Sequence, residues 1–240
     1  MATEKPAVSV WTRPQRRRDQ PALSRAQIVT AALELLDSAG LDALSMRTLG
    51  ARLGAGATSL YRHVANKDEL LELVVDEVYG EIEVPAVQHG DWRRAVTTCA
   101  ESARAVLLRH AWIASVLGQT GLSYLGPNVM RLNEQMLALF ETAGFSLAEA
   151  DPALSAVMAY VIGTATTEAA WLTTVDRSGR SEQECIDQLR SALTEATKPY
   201  PRLHTLATSE NDGAEKARGD GFHYGLDRML DGLATRLARR

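Results

Sequence analysis

The chain has little of what marks several protein classes. Only two of its 240 residues are cysteines, Cys99 and Cys185, which form neither a disulfide framework nor a zinc-ligand pattern. No apolar run reaches the roughly 18 residues of a membrane span, and the N-terminus has no apolar signal core. Aromatic residues make up 5% of the chain, and proline–glycine clusters are sparse outside the termini, which argues against an all-β fold. We therefore expect a cytoplasmic protein with no membrane partner.

The net charge is small, but the charges are unevenly spread. The formal value of −4, taken alone, argues against a nucleic-acid partner. Residues 1–70, however, hold ten Lys and Arg against seven Asp and Glu, a balance of +3, while residues 71–240 hold sixteen against twenty-three, a balance of −7. Such asymmetry is more informative than the total, and it predicts a small basic part in front of a larger acidic part.

Apolar residues recur at helical spacing along most of the chain. A capping box at Ser24 opens the first predicted helix, and Gly40 ends it. Another at Ser146 opens a long helix to about residue 174, although Pro152 leaves Asp151 as an alternative start. Further helices are predicted over residues 45–53, 57–64, 66–83, 92–110, 113–117, 127–143, 181–197 and 222–237. Residues 176–179 are predicted as a loop and residues 208–220 as a mobile polar link. With no repeat and no convincing strand, the chain is predicted to be all-α.

Residues 1–21 are predicted to be a flexible basic arm. They contain three prolines and a run of arginines but no apolar core of their own. Arg16, Arg17 and Arg18 could enter a DNA minor groove or bind phosphates. A solvated tail that binds without sequence preference is the alternative.

Two short helices joined by a glycine-containing turn, behind a supporting helix, are typical of a helix-turn-helix. This pattern falls on residues 45–64, SMRTLGARLGAGATSLYRHV, where Leu49, Leu53 and Leu60 are spaced to pack the two helices together. The second helix keeps hydroxyl, phenol and cationic groups off that stripe, and these groups suit phosphates and base edges. The residues concerned are Thr58, Ser59, Tyr61, Arg62 and His63. An ordinary helical hairpin with a polar face is the alternative.

The same region resembles the DNA-binding domain of Tet-repressor-family transcription regulators. Within residues 23–83 the matching string is ALELLDSAGLDALSMRTLGARLGAGATSLYRHVANKDELL, and its most specific part, from Leu49 to Leu70, contains L-Y-x-H-V and N-K-x-x-L-L. Later segments resemble the regulatory domain of the Tet-repressor subgroup: Trp92, LLRH at 107–110, AGFS at 143–146, ALSAV at 153–157 and YGLDRMLDGLATRL at 224–237. The resemblance covers nearly the whole chain, more strongly at the front than behind.

The resemblance implies a division of the chain into parts. Behind the arm, residues 22–70 would form a three-helix DNA-binding domain of the helix-turn-helix type. A connecting helix at 66–83 would lead into a larger helical domain at 84–240, which binds ligand and dimerises.

The resemblance also implies roles for individual residues. Tyr61, His63 and Lys67 would contact phosphates, and Lys67 lies at a helix N-terminus, which favours anions. Arg47 matches a base-contacting arginine, a residue well suited to a bidentate guanine contact. Packing against the fourth helix is a further role open to Tyr61.

Base readers are expected at Thr58 and Ser59, but this chain departs from the Tet repressor beside them. Ala57 replaces a glutamine that reads bases, and Met46 replaces a threonine. The operator sequence of the Tet repressor therefore does not carry over.

A homodimer is expected, because one recognition helix reads only a few base pairs and two half-sites share the affinity. Small residues on the helix at 153–174 and on the last helix allow another helix to approach closely, and in the family these two helices form a four-helix bundle with those of a second chain. The residues expected at this interface are Ala156, Gly163, Gly225, Met229, Gly232 and Leu233. Core positions within one chain are the alternative.

The second domain is larger than dimerisation requires, so a ligand cavity between its helices is expected. The candidate wall residues, of types that are often plain core, are Trp112, Leu117, Tyr124, Met130, Met136, Phe140, Tyr160, Thr164, Thr167 and Trp171. By resemblance Cys99 and Thr120 lie on segments that also line the pocket.

The resemblance further bears on the effector. The Tet repressor binds a magnesium–tetracycline chelate through a histidine and an asparagine, and Leu117 and Cys99 stand at the aligned positions. Leu117 cannot ligate a cation. We therefore expect no bound metal and no cofactor, and an unidentified effector that is largely apolar rather than magnesium–tetracycline.

The expected function is a ligand-responsive transcriptional repressor that binds a palindromic operator as a homodimer on the bacterial nucleoid and is released by a small molecule. An activator of the same family is one alternative, because the outcome depends on operator position. A thiol-based redox sensor through Cys99 or Cys185 is another, although neither has an obvious cationic partner. An enzyme is not expected, because the five histidines show no metal pattern and no phosphate loop or nucleophile elbow occurs.

Overall fold

The computed structural model describes residues 23–86, 91–117, 125–209 and 213–237. These residues form eleven α-helices and a short 3₁₀ turn, and no strand occurs among them. The predicted all-α fold is confirmed. The basic arm with Arg16, Arg17 and Arg18 lies outside the described residues.

Four helices make up the N-terminal part of the fold. They are α1 (Arg25–Ala39), α2 (Met46–Arg52), α3 (Ala57–Leu60) and α4 (Lys67–Gly80), with the 3₁₀ turn at Leu41–Ala43 after α1. Ser24 and Gln27 form the reciprocal capping box of α1, and Gly40 follows the helix with a φ of 76°, which glycine adopts without strain. Asn66 caps α4 by accepting a hydrogen bond of 2.8 Å from the backbone N–H of Glu69.

An apolar core holds these four helices together. Ile28 and Leu36 of α1, Leu49 of α2, Leu60 of α3 and Leu70 of α4 are all 1% exposed or less. Full burial of a side chain of this size contributes roughly 1.5–3 kcal/mol, so these residues help to hold the short α2 and α3 in place.

Seven helices make up the C-terminal part. They are α5 (Trp92–Arg109), α6 (Ile113–Leu117), α7 (Pro127–Thr142), α8 (Leu147–Ser178), α9 (Glu182–Ala196), α10 (Pro201–Thr208) and α11 (Ala214–Leu237). α5 packs along α8, and α7 packs between α8 and α4. Trp92, Phe140 and Phe145 meet edge-on or tilted, with ring centroids 5.5–6.3 Å apart. No helix in the described part of the chain is long and apolar enough to cross a bilayer.

A buried carboxylate joins α4 to α7. Asp76 Oδ1 accepts hydrogen bonds of 3.0 Å from the backbone N–H groups of Asn128 and Val129, and Oδ2 accepts one of 3.1 Å from Asn128 Nδ2. Gly126 permits the approach, because a Cβ at that position would overlap the carboxylate. The negative charge therefore lies at the N-terminus of α7, where free N–H groups and the helix dipole stabilise it.

Three predicted helix ends in this architecture are wrong. The connecting helix α4 ends at Gly80 rather than at residue 83. The third helix ends at Leu60 rather than at residue 64, because the N–H groups of both His63 and Val64 bond to the Leu60 carbonyl and close a turn. The long helix α8 continues to Ser178, and only Gly179, with a φ of 66°, stops it. The predicted loop at 176–179 is thus mostly helical.

The start of α8 follows the capping box rather than the proline. Ser146 and Glu149 form the box and α8 begins at Leu147, so the alternative start at Asp151 is wrong. Pro152 lies inside the helix and removes one N–H donor. The neighbouring side chains Ala150, Ala153 and Leu154 are buried, and their packing offsets that loss.

Two further helical segments were not predicted. α9 ends at Ala196, close to the predicted end, and Pro201 then begins the further helix α10, since proline suits the first position of a helix. α11 begins at Ala214, so most of the predicted mobile link at 208–220 is helical. Arg218 in this segment forms ion pairs with Glu168 of α8 and Glu182 of α9, a tertiary contact that sequence spacing does not reveal.

Candidate functional site

α2, α3 and the turn between them have the geometry of a helix-turn-helix. Gly50 of α2 lies against the turn, where a Cβ would come within 2.7 Å of the Ala55 carbonyl oxygen. Gly54 in the turn has a φ of 62°, a conformation that favours glycine. Leu49 and Leu60 are fully buried between the two helices and α1 and α4, as their spacing predicts.

The outer surface of α3 carries the predicted polar residues. Thr58, Ser59 and Arg62 are exposed, and His63 is half-buried. Tyr61 directly follows α3 and is 53% exposed, so its phenol is free to reach a phosphate. This surface offers hydroxyl donors and cations at one edge of a rigid pair of helices, as phosphate and base contacts require.

Two further cations belong to the helices before and after α3. Arg47 is exposed in the first turn of α2. Lys67 is the first residue of α4, half-buried, and its Nζ donates a hydrogen bond of 3.4 Å to the Leu41 carbonyl. That contact holds the ammonium group near the α4 N-terminus, where an anion is favoured.

The predicted pocket residues divide into separate groups. Four are buried in the core of the C-terminal part: Cys99, Trp112, Met136 and Phe140. Leu117 at the end of α6 is half-buried. Met130 is 43% exposed on α7 and so does not join the buried four. Thr120 and Tyr124 lie outside the described residues.

A second group of predicted pocket residues lies in a groove between α8 and α11. The α8–α11 groove has a volume of about 590 Å³. Its predicted members are Tyr160, Thr164, Thr167 and Trp171, and Gly163 from the predicted dimer surface lies among them. The groove therefore brings pocket and dimer predictions together on one helix.

The predicted dimer residues also fall into two sets. Ala156, Gly163 and Gly232 are exposed, and a Cβ at either glycine would meet nothing within 4 Å. Met229 and Leu233 are half-buried against the chain's own core. Gly225 differs from the expectation, because Tyr160 of the same chain occupies the space beside it and donates a hydrogen bond of 3.0 Å to the Phe222 carbonyl. The absence of a side chain at Gly225 therefore makes room for Tyr160 within the same chain.

A charged network at the groove was missed by sequence reasoning. Glu168, 9% exposed, receives hydrogen bonds of 2.6–2.9 Å from Arg104 of α5 and Arg218 of α11. Arg218 also pairs with Glu182, to which Trp171 Nε1 donates at 2.7 Å. These contacts hold the pKa of Glu182 below its usual value, chiefly through Arg218. The partners lie far apart in the sequence, so no local sequence pattern predicts these ion pairs.

The two thiols lie in different surroundings. Cys99 is fully buried, and burial raises the pKa of its thiol to about 12. Cys185 is half-buried, with Sγ 3.3 Å from Ser178 Oγ. A reactive thiol needs a stabilised thiolate and access to solvent, and Cys99 has neither.

The residues in the described ranges include no group of three or more His, Cys, Asp or Glu placed to hold a metal ion. The site thus consists of a polar and cationic surface on a helix-turn-helix, joined through α4 to a larger helical part with an open groove.

Comparison with known families decides the identity. A family model described as "Tetracyclin repressor-like, C-terminal domain" matches residues 84–237, more than half of the chain, and one described as "Bacterial regulatory proteins, tetR family" matches residues 28–74. The chain belongs to the TetR family. The resemblance deduced from the sequence is confirmed, and with it the assignment to a family of transcriptional regulators.

Relatives of this TetR-family chain include proteins of Saccharopolyspora and Streptomyces. An HTH-type transcriptional regulator of Saccharopolyspora erythraea is 42% identical over 164 residues, 68% of this chain and 69% of the relative. The HTH-type transcriptional repressor DrrR1 of Streptomyces coeruleorubidus is 34% identical over 226 residues, 92% of this chain and 81% of the relative. The solved structure of ActR from Streptomyces coelicolor in complex with actinorhodin has a TM-score of 0.75 and 33% identity, and the match covers 90% of this chain and 97% of ActR.

Proposed function

We propose that this TetR-family protein is a transcriptional repressor that binds a palindromic operator as a homodimer and is released by a small-molecule effector. It works in the cytoplasm, at operators on the nucleoid. Residues 1–21 are its basic arm, 22–70 its DNA-binding domain, 66–83 its connecting helix and 84–240 its ligand-binding and dimerisation domain. The name of DrrR1 as a repressor favours repression over activation.

The observation that carries the proposal is the outer surface of the helix-turn-helix. In this proposal the exposed Thr58 and Ser59 read base edges, and Tyr61 and Lys67 contact phosphates. Arg47, at the start of α2, is free to reach a guanine. Residues of these types in this order fit a helix that lies in the major groove.

Selection of bound duplexes from a random pool tests DNA recognition. We expect a palindrome with half-sites about one helical turn or more apart. Arg47→Ala should cost about 1–3 kcal/mol at one base pair of each half-site, and Lys67→Met should lower the salt slope of binding by about one per half-site. Arg94→Ala is the control, since Arg94 is 82% exposed on α5 and pairs with Asp91. Recovery of no shared sequence, or equal loss in the control, would refute the assignment.

The α8–α11 groove supports the homodimer. Its outward residues Ala159, Gly163, Ala217 and Gly221 are small, and small residues let helices of a second chain approach closely. We expect Gly163→Arg to give a monomer in sedimentation velocity, whereas Ala138→Arg, on the exposed side of α7, leaves the dimer intact. A Gly163→Arg protein that sediments as a dimer would remove this groove from the interface.

The effector is proposed to be largely apolar. ActR is solved in complex with actinorhodin, which supports a small-molecule effector for this chain. At the positions that hold magnesium–tetracycline in the Tet repressor, this chain has Leu117 and the buried Cys99. We expect no magnesium-dependent tetracycline binding in calorimetry, and a compound from an apolar aromatic panel that both binds and releases the operator. Tight magnesium-dependent binding of tetracycline would contradict this.

Activation and thiol control are the alternative functions. A reporter gene placed behind the selected operator distinguishes the two roles, because a repressor lowers its expression and an activator raises it. The burial of Cys99 disfavours a thiol switch. Loss of operator binding after mild peroxide treatment would instead support the redox-sensor alternative.

A further inference from the structure

A cluster of polar side chains joins α1 to the corner between α5 and α6. We call Asp37, Glu81, Arg109, His110 and Trp112 the His110 cluster. His110 Nδ1 lies 2.7 Å from Asp37 Oδ1, and Trp112 Nε1 donates a hydrogen bond of 2.8 Å to the same oxygen. Two groups of the α5–α6 corner therefore hold one carboxylate of α1.

The other side of the histidine contacts the end of α4. His110 Nε2 lies 3.2 Å from Glu81 Oε1, and Arg109 Nη1 lies 2.5 Å from Glu81 Oε2. The His110 side chain is only 4% exposed, whereas the Asp37 and Glu81 side chains are 35% and 31% exposed. A hydrogen bond to a charged group in such a place is stronger than one in open water.

The cluster lies where the two parts of the chain meet. Asp37 is in α1, which packs on α2 and α4 with the helix-turn-helix. His110 is the C-terminal cap of α5, and Trp112 directly precedes α6. A single connecting helix leaves a domain free to tilt about it. A second attachment, from α1 to the α5–α6 corner, removes that freedom.

We propose that His110, together with Trp112, is a positioning residue that fixes the angle between the DNA-binding domain and the regulatory domain through Asp37. The two hydrogen bonds to Asp37 Oδ1 are geometrically demanding, so a small displacement of the α5–α6 corner breaks them. The angle of the helix-turn-helix then changes. The link from this contact to effector release rests on the proposed function, because Trp112 directly precedes α6, Leu117 ends it, and both are among the predicted pocket residues. The positioning role of His110 and Trp112 does not rest on the proposed function.

The first test needs neither operator nor effector. Spin labels at Ala51 on α2 and Glu141 on α7, both exposed, report the distance between the two parts in a Cys185→Ser background. Labelled chain is diluted with unlabelled chain so that only distances within one chain are measured by double electron–electron resonance. The wild-type distribution should be narrow.

Variants of His110 and of Asp37 show how much their contact contributes to the fixed angle between the two domains. His110→Asn and Asp37→Ala should each broaden or shift the distance distribution, and Asp37→Ala removes only a partly exposed side chain, so it keeps the test open if His110→Asn folds poorly. His223→Asn is the matched control, because His223 pairs with Glu101 at 2.7 Å between α11 and α5 and touches no part of the DNA-binding domain. An unchanged distribution in Asp37→Ala, or equal change in the control, overturns the proposal.

Operator binding gives the second readout. If the loosened domain is competent to bind in about a tenth of molecules, the apparent Kd for the selected operator rises about tenfold. Trp112→Phe, which loses one of the two hydrogen bonds and keeps an aromatic ring, should give an apparent Kd between those of the wild type and Asp37→Ala. A changed distance distribution with unchanged operator affinity would overturn the effect on DNA. Failure to select any operator would instead count against the proposed function and leave the distance result standing.

Discussion

Replacing Asp76 by asparagine should weaken the joint between α4 and α7 more than any exposed acidic substitution. Asp76 is 8% exposed and its carboxylate accepts three hydrogen bonds at the N-terminus of α7. Hydrogen bonds to a charged acceptor contribute about 1.5–3 kcal/mol each, against about 1 kcal/mol for neutral pairs. Asparagine keeps an oxygen for two donors but turns an NH₂ group toward the Asn128 amide. We therefore expect a loss of about 3 kcal/mol, or about 6–12 °C in Tm for a chain of this length.

Thermal unfolding followed by circular dichroism measures this change, with urea unfolding as the equilibrium check. Asp68→Asn is the matched control, because Asp68 is an exposed carboxylate in the first turn of α4 and should cost less than about 1 kcal/mol. If Asp76→Asn and Asp68→Asn unfold at the same temperature, the buried carboxylate is not what fastens α4 to α7.

Three further outcomes are expected. Gly50→Ala should destabilise the protein by about 1–3 kcal/mol and weaken DNA binding, because its Cβ would lie 2.7 Å from a turn carbonyl. Gly56→Ala, with open space around it, should unfold like the wild type, and equal losses in the two would refute the steric argument. In native protein a thiol reagent should modify Cys185 and leave Cys99 unmodified until unfolding, since burial raises the pKa of Cys99 to about 12; mass spectrometry distinguishes the two. A hydrogen bond to a carboxylate of α5 raises the pKa of His223, so its stabilisation is complete below its ordinary pKa and disappears as pH rises through the raised one. The side chain is 48% exposed, so His223→Gln should remove only a few tenths of a kcal/mol of pH-dependent stability, and a larger loss in urea titrations would contradict this.

Local signals predicted the helix-turn-helix well. Leu49 and Leu60 are buried at the spacing that predicted them, and the turn holds a glycine with positive φ where the pattern requires one. Periodicity and capping act within a few residues, so they specify α1 and α2 almost to the residue, along with the start of α4, whose end at Gly80 lies three residues before the predicted one. The end of α3 was missed because a turn that closes on the Leu60 carbonyl has the same apolar spacing as another helical turn.

Contacts between distant residues could not be predicted. Arg104 and Arg218 meet Glu168 across 64 and 50 positions, and His110 meets Asp37 across 73. Such pairs depend on how whole helices pack against each other, and a short stretch of sequence does not determine that packing. For the same reason Gly225 was assigned to a second chain, whereas it admits Tyr160 of its own.

The length of α8 has a thermodynamic consequence. At 32 residues it extends about 48 Å, and along it stand both Thr164 and Thr167, predicted to meet an effector, and Gly163, predicted to meet a second subunit. If the effector binds the associated and the dissociated chain with different affinities, the two equilibria are linked, and linkage is reciprocal. Whatever factor the effector imposes on the subunit association constant, association must impose on the effector's affinity. Effector potency should therefore vary with protein concentration near the midpoint of subunit dissociation. A dilution series of the protein is enough to detect this.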